Sequence, residues 1–353
     1  MTSADRGENG ERGGPELRRD FFSGRWVLIA PERARRPNDF QFGPAPMTDE
    51  SRASCPFCEG REAETPPEVE ALRDASPVPD SAGWRVRVVP NKYPALIPGS
   101  APASGARPGV LFESLPGAGL HEVVVDTPDH DREWVDLPIE HIRDVLEIFR
   151  RRLRVMERDS AVRYVQIFKN KGGYAGASLR HPHTQILAVP VVPQQVREEL
   201  SVLEHQARET GGCFICRVIK DESAGPRLVR SDPDFVALAP FASRFPYETQ
   251  VFPRRHRASF RETTDEELVG LARMMKFILG RLRDVADDPD YHLVLRQAPS
   301  PQAYRPGEPR PDAFVHWRIE ILPVMGLVAG FEWGTGCFIN PVVPEFAAAA
   351  LRG

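Results

Sequence analysis

The sequence predicts an α+β protein in which one structural unit occurs twice. Runs rich in branched apolar residues alternate with long stretches of helical periodicity. Four of the five cysteines form two Cys-x-x-Cys pairs, one in each half of the chain. The predicted order strand, strand, helix, strand, strand follows each pair. Such a long-period repeat indicates a duplicated fold within one domain or a pair of domains.

Composition excludes several classes of protein. The 353 residues are 41% hydrophobic, which is ordinary for a globular chain with a buried core. The net charge of −4 comes from acids and bases mixed along the chain, so no nucleic-acid partner is expected. The N-terminus has no apolar signal region, and no stretch approaches the run of about 20 apolar residues that a membrane span needs. We therefore expect a soluble, cytoplasmic protein without membrane contacts.

The first half is predicted to follow a disordered tail, residues 1–15, and to occupy residues 16–200. Its predicted strands are RWVLIAP, WRVRVVP, LHEVVVDTP, VRYVQIFKN and TQILAVP. The segment at 99–109 has the composition of a linker, and apolar residues at helical spacing predict a helix from Ile139 to Met156. A glycine-bearing loop, KGGYAGASLR, separates the last two strands, and a helix that ends on glycines follows them.

The second half, residues 201–353, repeats this plan. Its predicted strands are DFVALAP, ETQVFP, YHLVLRQA and VHWRIEILP, and its helix is TDEELVGLARMMKFILGRLRDV. The Cys-x-x-Cys pair lies near the start of each half, and both pairs are expected in loop-like segments. Thioredoxin-type pairs instead follow a strand and begin a helix. Metal binding is therefore favoured for both pairs, and redox chemistry is the alternative.

Each half also supplies two histidines in matching order, which completes two metal-ligand sets. The sets are Cys55, Cys58, His130 and His181 in the first half and Cys213, Cys216, His256 and His316 in the second. Two thiolates and two imidazoles close a tetrahedral zinc site and leave no open position. We therefore expect two structural zinc ions, with iron as a possible occupant of the second site.

The two halves differ immediately after the last metal histidine. The first has His181-Pro-His183-x-Gln185, whereas the second has His316-Trp-Arg318-x-Glu320. Residues two apart on a strand share one face, so His183 and Gln185 point the same way as His181. Because His181 completes the metal set, His183 is free, and a free histidine beside a fixed neighbour is a candidate nucleophile.

The segment NKGGYAGASLRHPHTQ, together with CPFC, TPDH and the duplicated layout, resembles the galactose-1-phosphate uridylyltransferases of the histidine-triad superfamily. The resemblance covers nearly all of the chain beyond the tail. It implies two histidine-triad-like half-barrels of antiparallel strands with helices, and a homodimer. It also implies a ping-pong mechanism, in which His183 attacks the α-phosphorus of a nucleotide sugar and holds the nucleotide as a phosphoramidate.

The resemblance also implies the remaining site residues. Gln185 would donate to the α-phosphoryl group and Ser178 would assist it, while Asn170, Gly176 and Ala177 would line the loop around the phosphates. The other implied substrate contacts are Arg33 and Arg36 for phosphate, Phe57 and Asn91 for the base and ribose, and Gly330, Phe331 and Glu332 for the hexose. His121 receives no role from this resemblance.

Departures from the family pattern leave the substrate open. Lys92 stands where the best-known uridylyltransferases have an aspartate, and Phe331 replaces a tyrosine. The second metal set is closer to a branch that includes ADP-glucose phosphorylases. The first hypothesis is UMP exchange between UDP-glucose and galactose 1-phosphate, with a UDP-sugar and a hexose 1-phosphate as substrates. The alternatives are an ADP-glucose or diadenosine-polyphosphate phosphorylase, and a non-catalytic zinc-stabilised nucleotide-binding or scaffold protein.

Overall fold

The fold is dominated by one ten-stranded antiparallel sheet. The structure is a computed structural model that describes residues 14–35, 52–74, 78–99, 114–304 and 310–353. The strand order is β3-β4-β5-β7-β6-β11-β12-β10-β9-β8. The strands are β3 (Glu70–Arg73), β4 (Trp84–Pro90), β5 (Leu120–Val125), β6 (Tyr164–Lys171), β7 (His183–Val189), β8 (Leu228–Ser231), β9 (Phe235–Leu238), β10 (Thr249–Pro253), β11 (Asp290–Arg296) and β12 (Arg318–Val324).

This order consists of two identical five-stranded units placed edge to edge. The first unit is β3-β4-β5-β7-β6, and the second, read from its outer edge, is β8-β9-β10-β12-β11. Antiparallel pairing of β6 with β11 joins them, for example at Phe168 and Val294. The predicted α+β class and its duplicated antiparallel units are therefore confirmed.

Two long helices cover one face of the sheet. The helix α1 (Ile139–Met156) joins β5 to β6, and α4 (Asp265–Ala286) joins β10 to β11. The start of α4 is fixed by a capping box between Thr264 and Glu267. Buried side chains such as Phe149 on α1 and Met275 on α4 form one hydrophobic core with both halves of the sheet. Alternate residues of the same strands therefore face away from this core.

The opposite face of the second unit is covered by other elements. These are the helices α2 (Gln194–Thr210) and α3 (Phe214–Glu222) and the hairpin of β1 (Glu16–Arg19) and β2 (Trp26–Ile29), which pairs with β13 (Phe338–Asn340). Phe22 from the hairpin, Leu203 from α2 and Ile215 from α3 share a buried cluster with Phe252 of β10. The chain ends with α5 (Gly330–Thr335) and α6 (Pro344–Arg352).

Several details differ from the sequence prediction. The second Cys-x-x-Cys pair does not open a loop, because Cys213 caps α3 and Cys216 lies within it. The short strands β1, β3, β8 and β13 and the helices α3, α5 and α6 were not predicted, since few residues carry each periodic pattern. The predicted boundary at residue 200 falls inside α2 and stays a prediction.

Some predictions fall outside the described residues. These include the tail up to residue 13, residues 100–109 of the expected linker, and Arg36. Within the described ranges, no helix combines the length and the apolar character needed to cross a bilayer.

Candidate active site and metal centres

The strand β7 brings His183 and Gln185 to the face of the first unit that points away from α1. Its neighbour β5 pairs with it so that Val125 lies opposite His183 and Val123 opposite Gln185. The His183 side chain is largely buried, with 7% of the residue exposed, and Gln185 is half-buried. The Phe57 ring, from the first Cys-x-x-Cys segment, packs with its centroid 5.5 Å from the His183 ring. The structure therefore places three of the predicted site residues together.

The His183 ring is held in one orientation by its own strand. Its Nδ1 lies 2.8 Å from the His181 carbonyl oxygen, so Nδ1 carries the proton and donates to that oxygen. In the neutral ring, Nε2 then keeps its lone pair. Burial lowers the pKa of His183, and the positive charge of Lys169 lowers it further against the effect of the His181 carbonyl. The result is an oriented, neutral imidazole whose Nε2 is available as a nucleophile.

A buried polar cluster supports β7 from its other face. The Asp126 Oδ2 accepts hydrogen bonds from Trp134 Nε1 at 2.8 Å, Lys169 Nζ at 3.2 Å and Thr184 Oγ1 at 3.3 Å. Burial alone would lower the pKa of Lys169, but Glu133 and Asp126 raise it above its ordinary value. Lys169 therefore stays protonated on the opposite face of the sheet from His183. The hydrogen bond to Asp126 fixes Thr184, the residue that follows His183.

The first predicted metal set comes together beside this site. The four ligand atoms of Cys55, Cys58, His130 and His181 all lie within 4.8 Å of one another. Cys58 Sγ lies 3.4 Å from His130 Nδ1 and 3.6 Å from His181 Nδ1. Sulfur and nitrogen ligands at about 2.3 and 2.0 Å from a tetrahedral zinc lie roughly 3.6 Å apart, so these spacings fit such an ion.

The histidines of this set are oriented for metal binding. His181 Nε2 donates to the Thr127 carbonyl at 2.7 Å, which leaves Nδ1 free to face the thiols. Burial lowers the pKa of His181 to about 4 and also lowers the pKa of His130, so both rings are neutral, as ligands must be.

The second predicted set also comes together, in the second unit. Its members Cys213, Cys216, His256 and His316 have ligand atoms within 4.8 Å of one another. Cys216 Sγ lies 3.4 Å from His256 Nδ1 and 3.5 Å from His316 Nδ1. The Nε2 atoms of both histidines donate to backbone carbonyls, from His256 to Asp312 and from His316 to Pro253, as that of His181 does in the first set. The donor set thus matches the first one in chemistry and spacing.

The loop between β6 and β7 carries the predicted phosphate-binding residues. Gly172 has φ +87°, and a Cβ there would overlap the Asp290 carboxylate, which accepts a hydrogen bond from the Tyr174 N–H. Gly176 and Ser178 are exposed on this loop. Ala177 and Ser178 line a cavity of about 570 Å³ together with Lys171, Arg180 and Asp290. Asn170 precedes the loop, and its Oδ1 lies 2.9 Å from His292 Nδ1 of the second unit.

His121, which the sequence left without a role, contacts Gln185 and Asn91 of the site. Its Nε2 is 2.9 Å from Gln185 Oε1, and its Nδ1 accepts the Ala95 backbone N–H at 3.1 Å. The Asn91 amide nitrogen approaches the same ring at 3.2 Å. A pattern that could have identified His121 is its alternation with Val123 and Val125, which places it on the face of β5 that adjoins His183.

The remaining predicted residues lie apart from this cluster. Arg33 is exposed in a 3₁₀ turn after β2, on the hairpin that packs against the second unit. Gly330, Phe331 and Glu332 begin α5, where Phe331 is 47% exposed and Glu332 caps the Ala329 N–H. Lys92 is exposed, and its Nζ donates to the Glu64 carbonyl. Among the described residues, no hydrogen bond or ring contact joins Arg33 or the α5 residues to His183 or Gln185.

Comparisons with known proteins agree with this geometry. Residues 9–193 match the family described as galactose-1-phosphate uridyl transferase, N-terminal domain, and residues 129–350 match a domain of unknown function, DUF4921. An ADP-glucose phosphorylase from Arabidopsis thaliana is 34% identical over 98% of this chain and 95% of its own length. A galactose-1-phosphate uridylyltransferase from Thermotoga maritima is 30% identical over 96% of this chain and 98% of its own length.

A solved structure supports the same relationship in three dimensions. The crystal structure of an Arabidopsis thaliana ADP-glucose phosphorylase with bound ADP-glucose superposes with a TM-score of 0.81 at 33% identity. The match covers 96% of this chain and 99% of that one. The likeness therefore extends over both units and is not confined to one repeat.

Proposed function

Because this chain belongs to the galactose-1-phosphate uridylyltransferase family, we propose that it transfers a nucleotidyl group through a covalent bond to His183. The observation that carries this proposal is the oriented imidazole. Its Nδ1–H is committed to the His181 carbonyl, so Nε2 faces the substrate side with its lone pair. A scaffold protein would have no use for such a free nitrogen in only one of two repeated units.

The proposed reaction has two in-line steps at the α-phosphorus of a nucleotide sugar. In the first, His183 Nε2 forms a bond to phosphorus while the bond to the bridging oxygen breaks, and the sugar 1-phosphate leaves with the electron pair. In the second, a phosphate oxygen of the acceptor attacks phosphorus and the nitrogen–phosphorus bond breaks, which restores neutral His183. Positioning and fixed hydrogen-bond donors supply most of the catalysis in such transfers.

The residues around His183 have matching roles in this scheme. Gln185 donates to the α-phosphoryl oxygens, and Ser178 with the backbone at Gly176 and Ala177 faces the neighbouring phosphate. Phe57, which packs on the His183 ring, and Asn91 border the base and ribose. Arg33, Arg36 and the segment Gly330 to Glu332 are assigned to phosphate and sugar in the expected homodimer.

The first candidate reaction is exchange of UMP between UDP-glucose and galactose 1-phosphate. The second is phosphorolysis of ADP-glucose, and it is favoured by the 34% identity with the Arabidopsis enzyme. Lys92 does not choose between the two, because an ammonium group cannot accept a hydrogen bond from a ribose hydroxyl and both nucleotides carry the same ribose. Both candidates use the same histidine and differ in the base and in the acceptor.

We also propose that zinc fills both Cys₂His₂ sets. Each set is closed by four protein ligands, which is typical of structural zinc, and the second could hold iron instead. The first zinc would fix His181, whose carbonyl holds the nucleophile, and the second would tie α3 to the segments before β12 and after β10.

The test is to trap the covalent intermediate. The purified protein is incubated separately with UDP-glucose, UDP-galactose and ADP-glucose without an acceptor, and its intact mass is measured under mildly basic conditions that preserve phosphoramidates. A gain of one UMP, absent from His183→Ala, supports the uridylyltransferase, and a gain of AMP alone supports the ADP-sugar enzyme. Absence of any adduct in the wild type would contradict nucleotidyl transfer and favour a binding protein.

A further inference from the structure

The donor and acceptor pattern around His121 fixes the state of its ring. A backbone N–H can only donate, so the Ala95 N–H, 3.1 Å from His121 Nδ1, requires an unprotonated Nδ1. The neutral ring must then carry its proton on Nε2. That nitrogen lies 2.9 Å from Gln185 Oε1, so His121 Nε2–H donates to the amide oxygen of Gln185.

This bond in turn fixes the amide group of Gln185. If the amide were turned over, its NH₂ group would face the Nε2–H of His121, and two donors would oppose each other. With the oxygen held by His121, the Gln185 NH₂ group points away from the ring and keeps both N–H donors. Gln185 lies on the same face of β7 as His183, so those donors are on the face of the sheet that carries the nucleophile.

From this chain of hydrogen bonds we propose that His121 is a positioning residue, which aims the Gln185 amide N–H at the phosphoryl group during nucleotidyl transfer. The inference rests on the proposed function of His183 and adds to it a residue outside the family motif. A preset donor needs no reorganisation when charge develops on the phosphoryl oxygens. Without His121, the Gln185 amide could rotate and present its oxygen to an anion.

A second amide group contacts the same ring. Asn91 Oδ1 accepts the Tyr93 N–H at 2.8 Å, so the Asn91 NH₂ group is the end that lies 3.2 Å from His121 Nε2. Gln185 Oε1 is nearer to this nitrogen, at 2.9 Å, and is the acceptor of the two, so the Nε2–H donates to Gln185. The Asn91 NH₂ group therefore makes no hydrogen bond to His121.

The experiment compares variants in the single-turnover rate of nucleotidyl-enzyme formation, measured by quenched-flow mass spectrometry with the nucleotide sugar that labels the wild type. His121→Leu, which lacks the donor, is expected to slow this step about 10- to 100-fold, as when the partner that orients a metal ligand is removed. His121→Gln, whose amide reaches the position of Nε2, should recover most of the rate. His205→Leu, on the exposed face of α2, is the matched control and should behave as wild type.

A double-mutant cycle separates positioning from a general structural role. In a Gln185→Ala background, His121→Leu should cause little further loss, because the group through which it acts is absent. If the two losses multiply as for independent sites, or if His121→Leu forms the adduct at the wild-type rate, the proposal is wrong. If His121→Leu does not fold, His121→Asn replaces it. Asparagine can still accept the Ala95 N–H but is too short to reach Gln185, so it should be slow where His121→Gln is fast.

A measurement without turnover keeps this proposal distinct from the function of His183. The ¹⁵N shifts of the His121 ring should show the Nε2–H tautomer, and the Nε2–H resonance should move in Gln185→Ala. An Nδ1–H tautomer would overturn the proposal even if the enzyme forms its adduct. A wild type that forms no adduct with any donor would refute the function instead, while the ring resonances would still report on the hydrogen bond.

Discussion

The two units of this protein share one strand order, but the equivalent positions on the same face of the sheet carry different residues. In the first unit, the residues at the equivalent positions are His183 and Gln185. In the second they are Arg318 and Glu320, both almost fully buried. Arg318 donates to Glu320 Oε1 at 2.7 Å and to Glu199 Oε1 at 2.6 Å, and its guanidinium lies 3.7 Å from the Phe22 ring centroid.

Additional charges complete the second unit. Arg244 donates to Glu320 at 3.0 Å and to Glu248 at 2.8 Å. Burial alone would raise the pKa of Glu320, but Arg296, Arg318 and Arg244 hold it well below its ordinary value. Every charge in this network is paired with another side chain. In the first unit, by contrast, His183 Nε2 and the Gln185 NH₂ group have no partner among the described residues.

In this duplicated sheet, one unit carries the candidate site, and the equivalent face of the other unit is a buried network of ion pairs. Buried polar groups that are hydrogen-bonded to each other belong to the packed interior. Polar groups that lack a protein partner are available to hydrogen-bond a ligand. The covering elements agree with this division, since α2, α3 and the β1–β2 hairpin lie over the second unit's face.

The largest expected effect concerns the metal sets. Cys213→Ser should remove one metal equivalent and lower the free energy of unfolding by on the order of 5 kcal/mol, because structural zinc sites contribute about 10–16 kcal/mol. Its single-turnover rate below the melting temperature should stay close to wild type. Cys55→Ser should lower both stability and turnover, because His181 belongs to the same proposed ligand set and its carbonyl also holds His183.

Metal analysis, calorimetry and single-turnover kinetics on both variants test this difference. A Cys213→Ser variant with unchanged melting and a selective fall in turnover would show that the second set is not structural.

The next effect concerns the nucleophile. His183→Ala should lower turnover by about four to six orders of magnitude, as removal of a nucleophile does, while leaving melting temperature and metal content unchanged. Steady-state kinetics with a metal assay check this. Loss of metal in this variant would mean that His183 is itself a ligand.

An exchange of the paired residues sharpens the comparison further. Glu320→Gln leaves three guanidinium groups without their shared carboxylate and should cost about 3–5 kcal/mol of unfolding free energy with little change in turnover. Gln185→Glu replaces a donor by an acceptor and should lower turnover about 10²- to 10³-fold with little change in stability. Denaturant titrations and kinetics on both variants test whether the first change affects mainly stability and the second mainly turnover.

The acid dependence of Glu320→Gln provides its control. A glutamate whose pKa is lowered in the folded state stabilises the fold above its ordinary pKa of 4.5 and loses that contribution as pH falls. The difference in unfolding free energy between wild type and variant should therefore shrink below this pH. A constant difference would mean that the ion pairs do not carry the effect.

The smallest expected effect concerns the Phe22 ring that packs on Arg318. Phe22→Leu keeps an apolar side chain in the hairpin but removes the ring beneath Arg318, and it should cost about 1–2 kcal/mol. Urea denaturation measures this loss. The same cost in an Arg318→Met background would indicate that packing alone, and not the cation–ring contact, is responsible.

The sequence by itself determined the repeated architecture and both candidate metal-ligand sets. The period of α1 from Ile139 to Met156 and the alternation in β4 to β7 are local properties, so they were visible without any tertiary information. The duplicated order of thiols and histidines then predicted eight metal ligands, because each copy supported the prediction made from the other. The same comparison isolated His183 and Gln185 as the residues that only one copy retains.

Only the tertiary structure decided which residues act together across strands. His121 is 62 positions from His183 along the chain, yet pairing of β5 with β7 places its ring against Gln185. Phe22 is likewise remote in sequence from Arg318 and packs against it. Strand register and hairpin docking arise from long-range hydrogen bonds and burial, which no local periodicity encodes, so these contacts appear only when the chain is folded.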